Sequence, residues 1–491
     1  MKRNFLKPIL LASLTLFAAT RCGSSDKNPN SDDSRSAKIK VTVDTESSGD
    51  RIPENFSGLS FETGSVRKNN AGMPGYFFSG DNAQSLRIFD LLGIRHLRVG
   101  GGSVDSNKIA PTNEEIDELF SFAAKSGVRV VYSLRLLNGD LANEVQVAQY
   151  VWDHYKEYLD CFAIGNEPDW DSYHRPDPEI RDYPTYLAKW KKFAEAVTAV
   201  IPEAKFMGPN TGSNYPVSGA KDTNYKGNSW TLNFARDLKG TGLITDIAQH
   251  NYVGQDTDDK ASPWTMIDKM LSTSWNSQQY PALYNATLAP VVKEGYTYRL
   301  AESNSFSGQC DGGSNSFATA LFALDYMNWW ARHQCNGVNF HNKQWVLNAP
   351  IGLDVSGNLF VNPIGYGIMA FKFGSRGNIL PVTLDNGGHV NVTAYASKEN
   401  KNVRVTLINK EHGHNAKEVT VTIGLNAKIR KIETMSLCSP NNDPASRIAT
   451  LGGAEIDAEI GWQGQWETHA GTKPVFVIKP ASALIVNIQT E

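Results

Sequence analysis

Two glutamates stand out by their surroundings. Glu167 lies in AIGNEPDW (163–170), where an apolar run leads into Gly165 and Asn166 and is stopped by Pro168. Glu302 lies in RLAESNS (299–305), again after an apolar run. A strand that ends on a carboxylate and is stopped by proline predicts that carboxylate fixed at a strand tip. Two carboxylates converging on one pocket can divide the work of breaking a glycosidic bond. One, protonated, gives its proton to the leaving oxygen, while the other attacks the carbon. They need different surroundings to hold different protonation states at one pH: burial and a nearby negative charge for the acid, donors for the anion. Arg98 in LRVGGG, and His250 and Tyr252 in QHNYVG, are candidate donors to the anion. Asn166, beside the first glutamate, is a candidate to hold a substrate hydroxyl that binds more tightly in the transition state.

The two glutamates are 135 positions apart, so only a fold that gathers strand ends can bring them together. Eight short β-rich runs can be counted: 57–62, 95–100, 128–134, 161–167, 204–209, 244–252, 297–302 and 337–342. Helical patterns lie between most of them, including NEEIDELFSFAAKSG stopping at Gly127, EVQVAQYVWDHYKEYL, YPTYLAKWKKFAEAVTAVI and SFATALFALDYMNWWARHQ. NPIGYGIMAFKF (362–373) reads as the last helix. Alternating strands and helices of this number predict an α/β fold, a (β/α)8 TIM barrel whose functional residues sit at the carboxyl ends of the strands. Glu167 would end the fourth strand and Glu302 the seventh.

From about residue 375 the helical pattern stops. HVNVTAYAS, NVRVTLINK, KEVTVTIG, KIRKIETMSL, KPVFVIKP and SALIVNIQT alternate apolar and polar residues with turns between them, the pattern of an antiparallel sandwich. AKIKVTVD (37–44) has the same character. The expected organisation is a signal peptide over 1–22, a linker over 23–36, a catalytic barrel over 56–374, and an accessory all-β sandwich domain built from both chain ends, 37–55 plus 375–491.

The 491 residues are 41% apolar and 20% charged, the balance of a globular enzyme. Lys2, Arg3 and Lys7 followed by the apolar run Ile9 to Ala19 read as an export signal too short to span a bilayer. Cys22 and the polar stretch after it match the layout of a lipoprotein, with a lipid anchor at Cys22 or simple cleavage as alternatives. Both place the protein outside the cytoplasm: periplasmic, at the cell surface or secreted. Removing residues 1–21 takes away four basic residues (Lys2, Arg3, Lys7, Arg21) and no acidic one, so the formal charge goes from −3 to −7. That disfavours nucleic acid as a partner. Cys161, Cys310, Cys335 and Cys438 show no zinc spacing. Cys310 and Cys335 are the candidate disulfide. No metal site and no cofactor is expected.

In their order, GLSFE, LRVGGGSVD, GNEPD, QHNYV and AESNS resemble glycoside hydrolase family 79, the β-glucuronidases and heparanases, within the clan A retaining barrel glycosidases. The resemblance implies Glu167 as acid/base, Glu302 as nucleophile, Asn166 on the sugar 2-hydroxyl, Tyr252 on the nucleophile and Glu62 on ring hydroxyls. It implies a carbohydrate partner bearing a uronic acid. The carboxylate of such a sugar needs a cation or converging donors. In the loop after the eighth strand, HNKQWVLNAPIG (341–352), Lys343 and Trp345 are the candidates, with Tyr366 nearby in sequence. Two other readings remain: a retaining β-glycosidase on a neutral sugar, of β-glucosidase or xylanase type, and a surface carbohydrate-binding lipoprotein without turnover.

Overall fold

In chain order around the ring, the strands Ser57–Glu62, His96–Gly100, Arg129–Leu134, Leu159–Ile164, Phe206–Thr211, Ile244–Gly254, Tyr298–Phe306 and Cys335–His341 close into one barrel. Neighbouring barrel strands pair in parallel. The computed structural model describes residues 36–491 except 71–72, 107–109, 171–176, 178, 215–223, 255–261, 344–345 and 388. The export signal, Cys22, nearly all of the linker and Trp345 lie outside the described residues.

Helices cover the outer face of these strands, which is why their sequences read as apolar runs. Their inner face is packed by a small cluster of Val131, Cys161, Ala163, Met207, Ala248 and Ala301. Local signals set the helices. Asn113–Ser126 starts at a capping box of Thr112 and Glu115 and stops at Gly127, φ 71°. Tyr183–Val200 starts at a box of Asp182 and Thr185. Ala318–Ala331 is buried at every position, because the sandwich covers the side that the barrel leaves open. Its Asp325 accepts from Lys410 Nζ at 2.8 Å, Tyr395 Oη at 2.7 Å and Thr393 Oγ1 at 2.8 Å, a buried seam between barrel and sandwich.

The sandwich does use both chain ends. Ser36–Val43 pairs in parallel with Glu418–Leu425 and antiparallel with Val382–Asp385. A second sheet runs through Asn378–Leu380, Val392–Glu399, Asn402–Asn409, Ser482–Thr490 and Ile429–Cys438. Ile39, Val41 and Val43 pack with Val403, Val405, Val421 and Val486 between the sheets.

Three expectations need correction. The fourth strand stops at Ile164, so Glu167 stands in the turn beyond it and not on the strand. The seventh strand runs on to Phe306, so Glu302 is interior to it. A register shift against the sixth strand between Leu300 and Glu302 adds one residue there. That bulge turns Glu302 inward where strict alternation would turn it out. Cys310 and Cys335 are not joined by a disulfide. Cys335 opens the eighth strand at the bottom of the barrel and Cys310 follows the seventh strand at the top. One barrel length, roughly 20 Å at 3.3 Å per residue, far exceeds disulfide reach.

Candidate active site

The strand period of two aims Ser60 and Glu62 of the first strand, Arg98 of the second, His250 and Tyr252 of the sixth and His341 of the eighth into the upper barrel. Above them lies a cavity of about 370 Å³ lined by Glu62, Asn166, Glu167, Trp170, Tyr252, Glu302, His341 and Lys343, among others. Arg98 and His250 stand behind its wall. Glu167, Glu302 and six of the other residues singled out from sequence therefore meet at one place.

Glu167 is carried by a tightly fixed turn. Gly165 has φ 76°, and a Cβ there would come within 2.9 Å of Leu136 Cβ. Glu167 itself has φ 46°, a conformation non-glycine residues seldom adopt. Two buried aspartates hold the turn. Asp105 accepts from the backbone N–H of Leu136 at 3.0 Å, Leu137 at 2.9 Å and Asn166 at 2.8 Å. Asp169 accepts from Gly212 N–H at 2.8 Å and Ser213 N–H at 3.1 Å.

The two glutamates have opposite surroundings. Burial first, and then the charge of Glu302, push the Glu167 carboxyl well above its ordinary value. Burial pushes Glu302 the same way, but the charges of His341, His250 and Arg98 outweigh it and hold this carboxyl well below. His250 is pushed down to about 3 by burial and is uncharged at neutral pH. Arg98 Nη1 donates to Glu302 Oε2 at 2.7 Å and to Ser60 Oγ at 3.0 Å, and Nη2 donates to Asn166 Oδ1 at 2.6 Å. Tyr252 Oη donates to Glu302 Oε1 at 2.8 Å. With its Oδ1 taken by Arg98, Asn166 has its amide nitrogen left for a ligand.

His250 departs from expectation. Its Nδ1 lies 2.9 Å from Glu167 Oε1, so it serves the first glutamate and not the second. Lys343 also has a protein partner: its Nζ is 2.6 Å from Glu62 Oε1. Glu62 further accepts from Ser103 N–H at 2.7 Å. Burial raises the Glu62 carboxyl, but His341 and Lys343 outweigh that and hold it low. Beside Lys343 in sequence, both side-chain groups of Asn342 are bonded to the Ile351 backbone. Tyr366 is buried in a helix, where its hydroxyl accepts from Ile456 N–H at 2.7 Å.

Sequence reasoning passed over His341, whose nitrogens lie 3.4 Å from Glu62 and 3.5 Å from Glu302. The rule that selected His250, a histidine at a barrel-strand end, selects His341 as well. Asp105 lies in LRVGGGSVD and Asp169 and Trp170 in AIGNEPDW, but buried anchors and pocket rims have no mark in sequence.

One oxygen of Glu167, one of Glu302 and a His250 nitrogen all lie within 4.8 Å of one another. A metal ion also uses such spacing, yet Arg98 at 2.7 Å already neutralises Glu302 and would face an ion with a fixed like charge. The set suits a proton donor facing a carboxylate anion.

No family model matches this sequence, and no curated protein matches it. Solved structures do match its fold. A 4-O-α-L-rhamnosyl-β-D-glucuronidase from Fusarium oxysporum 12S, in a Rha-GlcA complex, superposes with TM-score 0.70 at 17% identity, over 92% of this chain and 100% of that one. A family GH51 arabinofuranosidase from Xanthomonas axonopodis pv. citri gives 0.65 at 13%, over 92% and 100%. A Paenibacillus polymyxa xyloglucanase of GH family 44 gives 0.60 at 12%, over 93% and 100%. At these identities the likeness is one of fold: a TIM barrel with an accessory β domain.

Proposed function

We propose that this chain is an exported retaining glycoside hydrolase, β-glucuronidase-like, that cleaves β-linked uronosides. The observation that carries the reading is that one oxygen of Glu167 and one of Glu302 come within 4.8 Å, on carboxyl groups of opposite proton affinity. Retaining enzymes hold their two carboxyl groups about 5–5.5 Å apart, whereas inversion needs roughly 6.5–9.5 Å to seat a water. In the first step Glu302 attacks the anomeric carbon as the bond to the leaving oxygen breaks, and the Glu167 proton passes to that oxygen. In the second, water gives a proton to Glu167, and its oxygen displaces Glu302 from the sugar. Arg98 and Tyr252 keep Glu302 ionised before attack. Asn166 meets the 2-hydroxyl and Glu62 the other ring hydroxyls.

The uronoside assignment rests on Lys343 at the wall of the cavity and on the resemblance in motif order. The fold neighbour whose name includes glucuronidase is consistent with it. A neutral sugar is the second reading, favoured by one observation: Lys343 is already paired with Glu62. A panel of aryl glycosides decides between them. Hydrolysis of the aryl glucuronide, abolished in Glu302→Ala and restored by azide as the inverted glycosyl azide, supports the proposal. Turnover of the glucoside alone overturns the uronoside part, and turnover of no glycoside overturns the whole. A charge-assisted contact supplies about 1.5–3 kcal/mol, or roughly 10- to 100-fold. Lys343→Ala should lower kcat/KM for the glucuronide by that factor, beyond any loss the glucoside suffers through Glu62.

Export rests on the basic start and apolar run, and a lipid anchor on Cys22. Palmitate labelling that disappears in Cys22→Ser tests the anchor.

A further inference from the structure

Trp170 lies three residues after Glu167, and its backbone N–H donates to the Glu167 carbonyl at 3.2 Å. Among the described residues few large apolar side chains are as open: 37% of it is exposed, and it lines the same cavity as the two glutamates. Most aromatic rings of this chain are packed in the core, so an indole left open beside the acid needs a reason.

The backbone of the neighbouring loop is shaped around that ring. A Cβ on Gly212 would lie 2.0 Å from Trp170 Nε1 and 2.8 Å from Glu167 Cδ. Only the bare α-carbon of Gly212 lets the indole and the carboxyl stand side by side as they do. Asp169, the residue before Trp170, fixes the spacing by accepting from Gly212 and Ser213 N–H. Glu62, Asn166 and Glu302, the groups assigned to the sugar being cleaved, line the same cavity.

We infer that Trp170 is the platform for the leaving group: a flat apolar surface on which a sugar or aromatic aglycone stacks while Glu167 protonates the bridging oxygen. The inference rests on the glycosidase reading above. A proton donor must touch the leaving oxygen, so what is attached to that oxygen must lie beside the donor, where the indole is. The carbon face of a pyranose or an aryl ring covers such a surface without needing directed hydrogen bonds. Trp170 therefore sets which aglycones are accepted, independently of which sugar is cleaved.

The test compares two glycosides of whichever sugar the panel selects: the methyl glycoside and a β-linked disaccharide. Both have poor leaving groups that need the Glu167 proton, and only the disaccharide has a ring to stack. Trp170→Ala should lower kcat/KM for the disaccharide roughly 30-fold, the loss expected when about 80 Å² of apolar contact is given up. The methyl glycoside should be unchanged. Trp170→Phe, which keeps a flat ring, should recover most of the loss. An equal fall on both substrates would make Trp170 a support for Glu167 and overturn the inference. No change on either would show that the leaving group does not touch it. Wild-type turnover of the methyl glycoside tests the glycosidase reading separately, so the two fail in distinguishable ways.

Discussion

Replacing Glu167 by glutamine should make the protein more stable while disabling its chemistry, and the gain should grow with pH. The side chains have the same shape, but glutamine stays neutral. The Glu167 carboxyl goes from an ordinary 4.5 to about 8 in the fold. The unfolded chain thus releases its proton first, and the folded state resists ionisation. For a group raised in this way, stability is fully present below 4.5 and is lost as pH rises toward 8. Each pH unit across that window costs the wild type about 1.4 kcal/mol. At pH 7 this gives about 3 kcal/mol, and since 18% of the side chain remains open to the cavity, solvent reduces it to about 2. Urea unfolding of wild type and Glu167→Gln at pH 5, 7 and 8.5 measures the difference. It should be under about 1 kcal/mol at pH 5, about 2 at pH 7, and level off above pH 8. A difference that is the same at pH 5 and pH 8.5 would mean that Glu167 ionises as an ordinary carboxylate, and its assignment as the acid would fall.

Arg98→Met should cost at least 100-fold in kcat/KM, because its bonds to Glu302 and Asn166, about 1.5–3 kcal/mol each, are lost together with the one to Ser60. The acid limb of the pH–rate profile should move upward, since a cation bonded to Glu302 at 2.7 Å is then gone while burial still disfavours its anion. An unmoved acid limb would refute Arg98 as the group that keeps Glu302 ionised. Asp325→Ala leaves Lys410 buried without its carboxylate and should cost about 3–5 kcal/mol, read as a fall in Tm. A loss under about 1 kcal/mol would show that the seam does not depend on this pair. Gly212→Ala should fold normally yet lose roughly tenfold or more on substrates with poor leaving groups, because the new Cβ displaces the Glu167 carboxyl. Unchanged activity on those substrates would mean that the turn can yield without moving the acid.

The sequence by itself determined the architecture and which residues meet. Apolar runs of period two, helical runs of period 3.6, the stop at Gly127 and the caps at Thr112 and Asp182 are local signals, set by backbone sterics and hydrogen bonding within a few residues. Once eight such units close into a ring, the strand ends must share one mouth, so Glu62, Arg98, Glu167, Tyr252 and Glu302 converge across more than 200 positions. What each side chain does there was decided by the tertiary structure. The bulge before Glu302 comes from register against the sixth strand, and no residue type marks it. That His250 faces Glu167 and not Glu302, and that Lys343 is taken by Glu62, depend on ångström differences between strands that only packing fixes. The burial of Glu167 and the fixed charge of Arg98 beside Glu302 are properties of the assembled barrel. In sequence the two residues are both plain glutamates; only the fold makes one hold its proton and the other lose it.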